Sequence, residues 1–130
     1  KSAFITLLTS IPLLSSSLLA DSLKIIPEPS EITFSDAQSA KFSITSSTII
    51  VAPDSLKNES SALVNALAPA TGFTLKVQSE STTEPQIKLV LTKKLQDLGR
   101  EGYSLQVTPK GVIIKAADEA GIFYGIQSLI

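Results

Sequence analysis

Near its C-terminal end the chain alternates, reverses and then changes period, and few folds accommodate all three. Tyr103, Leu105 and Val107 are interleaved with Ser104 and Gln106, the period of two that a half-buried strand requires. Thr108-Pro109-Lys110-Gly111 follows, a turn in which proline fixes φ and glycine is free to take φ above zero. Val112, Ile113 and Ile114 return as a second strand, so the segment predicts a β-hairpin. Asp118 is then placed to cap a helix running from Glu119 onward. Ile122, Ile126, Leu129 and Ile130 share one face of that helix. Burying all four contributes roughly 6–12 kcal/mol gross, at about 1.5–3 kcal/mol each. A helix with that much apolar surface has to be packed rather than free.

Upstream the same two periods recur. Leu23 to Ile26 is a short apolar run closed by Pro27 and Pro29, and proline has no N–H to give a sheet. It reads as a strand end or an extended edge segment. Glu31 to Phe34 and Lys41 to Thr45 alternate as half-buried strands do. Thr48 to Val51 is β-branched throughout and reads as a more buried strand. A helix is expected from about Ser55 or Glu59 to Ala70, with Leu56, Leu63, Leu67 and Ala70 at helical spacing. Ser55 is its candidate N-cap, Pro69 weakens its last turn, and Gly72 suits its stop. Phe73 to Val77 is the next strand, Ser79 to Pro85 a polar loop, Gln86 to Leu91 a strong apolar strand, and Lys93 to Gly99 a connector. The order predicts an α+β fold: a mixed or antiparallel sheet with helices packed on one face.

Composition narrows the chemistry. The 130 residues include no His, Cys, Met or Trp. Without His or Cys there is no Ser–His triad, thiol nucleophile, disulfide or His/Cys metal site. A metal would need oxygen ligands, and no Asp-rich calcium loop is present. The charge balance of eleven basic against twelve acidic residues leaves no basic patch of the kind nucleic acid requires. The 43% of hydrophobic residues suffices for one packed domain.

The first twenty residues read as a signal peptide: Lys1 as the positive start, an apolar run from Ala3 to Leu19, and Ala20 before the cut. Pro12 and Ser15 to Ser17 interrupt the run, which favours cleavage over a retained anchor. Leu18 is larger than the small residue usual at that position, so the cleavage site is open. The expected product is exported, periplasmic or secreted, with no membrane contact after cleavage. The chain starts without Met and stops inside an apolar run, which reads as cut at both ends.

The motifs of the last third extend the argument. They are Glu101-Gly102-Tyr103-Ser104-Leu105-Gln106-Val107, Gly111-Val112-Ile113-Ile114-Lys115-Ala116 and Gly121-Ile122-Phe123-Tyr124-Gly125-Ile126-Gln127-Ser128-Leu129. Together they resemble the end of the N-terminal domain of family 20 glycoside hydrolases, the β-N-acetylhexosaminidases. Ile25-Ile26-Pro27-Glu28-Pro29 looks like the motif that opens the same domain. The resemblance covers about residues 23–130. It implies a zincin-like two-layer α+β domain without zinc, an accessory domain that precedes and braces a (β/α)8 catalytic barrel. In that family an Asp–Glu pair of the barrel works with the substrate's own acetamido group, a substrate-assisted route. The resemblance therefore implies no catalytic, cofactor-binding or metal residue in this segment and no cofactor. Its partner is the downstream barrel, and glycan is met through that barrel only. Equivalent domains of α-glucuronidases and of enzymes removing O-linked N-acetylglucosamine are the alternatives. A stand-alone carbohydrate-binding module is a third, weakened by the lack of Trp and of a row of aromatics.

Several residues invite functional assignment. Asp118-Glu119 mimics a catalytic pair, but a helix start accounts for both. Gly121 and Gly125 match a membrane dimer motif, but the run is too short to span, and close packing of the helix accounts for them. Phe123 and Tyr124 are core or interface residues before they are sugar-stacking ones, and Tyr103 is a strand residue. Asn58-Glu59-Ser60 is a glycosylation triplet, which short sequences also produce by chance.

Overall fold

The computed structural model describes residues 41–130. The expectations at 1–20, 23–26 and 31–34 lie outside them. The elements in order are β1 (Ile49–Val51), α1 (Lys57–Thr71), β2 (Lys76–Gln78), β3 (Gln86–Leu91), β4 (Tyr103–Thr108), β5 (Gly111–Ala116) and α2 (Glu119–Leu129). Short 3-10 turns at Asp54–Leu56 and Lys93–Leu98 precede α1 and follow β3.

The five strands form one mixed sheet in the order β2-β1-β3-β5-β4. β1 runs parallel to both β2 and β3, β3 is parallel to β5, and only the hairpin β4–β5 is antiparallel. Register explains why one face is dry. Ile50, Ile87, Val112 and Val107 lie across the strands in one row, with Leu89, Ile114 and Leu105 in the next, then Leu91, Ala116 and Tyr103. Successive side chains of a strand point to opposite faces, so these residues make one apolar surface. Leu56, Leu63 and Leu67 from around α1, and Ile122 and Ile126 from α2, close the core over it.

Two connections link parallel strands. α1 carries the chain from β1 to β2 over the apolar face. The return from β2 to β3 crosses β1 in seven residues, 79–85, a length that suffices because β1 and β2 are only three residues long. The opposite face of the sheet is the one that the right-handed rule for crossovers assigns to that return. There Gln78 Nε2 donates to the Glu80 carbonyl, and Val51, pointing to that side, is buried.

Several local expectations are corrected. Residues 41–45 keep the burial alternation of a strand, and Phe42 and Ile44 pack against the core, but no ladder assigns the segment to the sheet among the described residues. The turn that follows uses Thr48 instead, whose N–H donates to the Thr45 carbonyl and whose Oγ1 accepts from the Thr45 N–H at 2.9 Å. Ser55 does not cap α1. It lies within the 3-10 turn, and the N-cap position is Leu56, with no side-chain cap. Ala70 is exposed, and the buried stripe of this region is Leu56, Ser60, Leu63 and Leu67. α1 ends one residue past the expected Ala70, at Thr71, with Pro69 inside its last turn as expected. The helix stops as expected at Gly72, whose N–H donates to the Ala68 carbonyl with Gly72 at φ 74°, the left-handed stop that glycine permits. β2 begins three residues later than expected, at Lys76.

The hairpin forms as expected, but Gly111 is not at positive φ. Its role is steric: a Cβ there would run into the carbonyl oxygen of Gln86 on β3. Thr108 Oγ1 donates to the Gly111 carbonyl at 3.0 Å and closes the turn.

Candidate functional site

α2 is the element the sequence marks most strongly, and its surroundings are where the candidate residues converge. Asp118 is its N-cap: Oδ1 accepts from the Ala120 N–H at 3.1 Å. Oδ2 lies 3.4 Å from Arg100 Nε. The Ala120 N–H, aided by the Arg100 guanidinium against some desolvation, holds the carboxyl below the ordinary Asp range. Glu119 follows, exposed, in the first turn, where the helix dipole favours an acid. The two carboxylates of this adjacent pair therefore serve the start of a helix.

Gly121 and Gly125 let α2 lie against the sheet. A Cβ on Gly121 would strike the Gly102 carbonyl oxygen and come within 2.6 Å of the Ala116 Cβ. One on Gly125 would come within 2.5 Å of Ile114 Cγ2 and 3.3 Å of the Tyr103 ring. The four-residue glycine spacing is thus a helix-on-sheet contact. Ile122 and Ile126 are fully buried beside it and Leu129 is partly packed, but Ile130 is 56% exposed. The expected burial of four side chains is reduced to two complete ones, or roughly 3–6 kcal/mol gross.

A hydrogen-bonded chain secures the other end of α2. Tyr103 OH and Ser128 Oγ are 2.5 Å apart, and Ser128 Oγ donates to the Tyr124 carbonyl at 3.2 Å. That assigns the donor at the first contact to Tyr103. Sequence reading placed Tyr103 on its strand and missed this bond, which joins positions 25 residues apart and leaves no periodic signal.

The outward side of α2 is mixed, with Glu119 and Gln127 exposed beside Phe123. Phe123, Gln127 and Ile130 follow one another at spacings of four and three, and Phe123 is 46% exposed. The Phe123 and Tyr124 rings meet edge to face at 5.6 Å. Phe123 is neither core nor arranged in a row with other exposed aromatics, so this side is no sugar platform of stacked rings.

The C-terminal ends of β1 and β2 with the start of α1 hold a shallow depression of about 100 Å³, lined by residues that include Asp54, Lys57, Ser60 and Gln78. Ligand pockets commonly enclose about 300–1,000 Å³, so this one is too small for a sugar ring and its neighbours. Asn58 is exposed on α1 nearby, while the Ser60 of its glycosylation triplet is buried with its hydroxyl donating to the Lys57 carbonyl. Among the described residues no group of three acidic, His or Cys side chains is placed to hold a metal ion. No helix among them is long and apolar enough to cross a membrane.

A family model described as glycosyl hydrolase family 20, domain 2, matches residues 22–130. The lacto-N-biosidase of Bifidobacterium bifidum is 32% identical over 83 residues, 63% of this chain and 8% of that protein. The GH20 β-N-acetylhexosaminidase of Streptomyces coelicolor A3(2) is similar in structure, with a TM-score of 0.69 at 34% identity over 81% of this chain and 20% of its own. The N-acetyl-β-hexosaminidase of Streptomyces plicatus gives 0.58 at 35% identity over 69% of this chain and 18% of its own. The chain thus spans about a fifth or less of the length of these relatives.

Proposed function

Because the chain belongs to glycosyl hydrolase family 20, as that family's domain 2, we propose that it is the non-catalytic N-terminal domain of an exported β-N-acetylhexosaminidase, bracing the barrel that removes terminal N-acetylhexosamine residues. The observation that carries this reading is the two-sidedness of α2. One side packs on the sheet through Gly121, Gly125, Ile122 and Ile126, and the other leaves Phe123, with Ile130 just past the helix end, about half exposed. A helix seated on the sheet with half-exposed apolar side chains on its outer side is suited to meet a second domain. Asp118, the carboxylate most tempting as a catalyst, is occupied as a cap. Family membership displaces the α-glucuronidase and O-linked alternatives. Export rests on the charge–apolar–small pattern of residues 1–20.

A parent of lacto-N-biosidase type is the second reading, favoured by the Bifidobacterium relative. The bracing role is the same under either.

The test has two arms. The chain alone, without residues 1–20, is expected not to turn over a chromogenic N-acetylglucosaminide or lacto-N-bioside, and turnover by it would overturn the non-catalytic assignment. In the full-length parent, Phe123→Asp is expected to lower the melting temperature and the rate. A parent indifferent to that charge would remove α2 from the joint.

A further inference from the structure

We draw no further inference here: the strongest candidate, the outer edge of β4, a six-residue uncharged strand at the rim of the sheet, carries nothing because nothing among the described residues shows what pairs with it.

Discussion

Alanine normally outranks glycine inside a helix by about 0.8–1.0 kcal/mol, and at two positions of α2 that preference is expected to invert. At Gly121 the added methyl meets the Gly102 carbonyl, a backbone atom with no rotamer to yield. At Gly125 it meets a methyl of Ile114 and the edge of Tyr103, which can shift. Overpacking of this kind costs about 1–3 kcal/mol. Gly121→Ala should therefore destabilise the domain more than Gly125→Ala, read as urea midpoints at unchanged slope. A midpoint that rises for Gly121→Ala would show that the helix rides higher on the sheet than described. Asp118 gives the domain one source of acid sensitivity. Its folded pKa is depressed, so its stabilisation is present above the ordinary Asp value of about 3.9. It is lost as pH falls through the lower folded value. Asp118→Asn keeps a capping oxygen but cannot titrate. The variant should show a flatter stability profile across that acid range than the wild type, and parallel profiles would mean that the carboxylate contributes nothing by its charge.

At the scale of elements, α2 is held at both ends by contacts of different kinds, and they can be separated. Tyr103→Phe keeps the ring that borders Gly125 and removes only the hydroxyl that reaches Ser128. A hydrogen bond of this sort contributes about 0.5–1.5 kcal/mol net. The variant should lose about that much, and amide exchange should quicken in residues 127–130 while the start of α2 stays protected. Uniform quickening along the helix would mean that Tyr103 supports the whole domain and not its last turn. How far such elements are legible in a sequence depends on how local their cause is. β3 was expected at Gln86–Leu91 and is found there, and the Asp118 cap and the Gly72 stop likewise follow from chemistry within a few residues. Residues 41–45 have the right alternation and still make no ladder among the described residues, because period two tells which side chains face inward and not which neighbour a strand has. The order β2-β1-β3-β5-β4 is a property of distant pairings and leaves no mark in any window. Ile130 was misplaced for a related reason: helical spacing put it on the inner stripe, but the sheet beneath seats only Gly121, Ile122, Gly125 and Ile126 fully.

For the whole molecule the consequence is an imbalance between its two sides. The sheet's apolar face is spent on α1 and α2, yet α2 still shows Phe123 and Ile130 to solvent at 46% and 56% exposure. Packing within the described residues gains less from these two positions than from the fully buried Ile122 and Ile126. That separates stability from association in an experiment. In the chain without residues 1–20, Phe123→Ser combined with Ile130→Ser should leave the unfolding free energy from urea titration within about 0.5 kcal/mol of the wild type, as substitutions at exposed positions do. The same pair should reduce binding of a hydrophobic dye and concentration-dependent light scattering, because it removes the exposed apolar line. Falling stability with unchanged association would show that these side chains serve the domain's own fold. Unchanged dye binding with unchanged stability would place the exposed apolar surface somewhere other than α2, and the bracing role would then have to be sought on another face of the sheet.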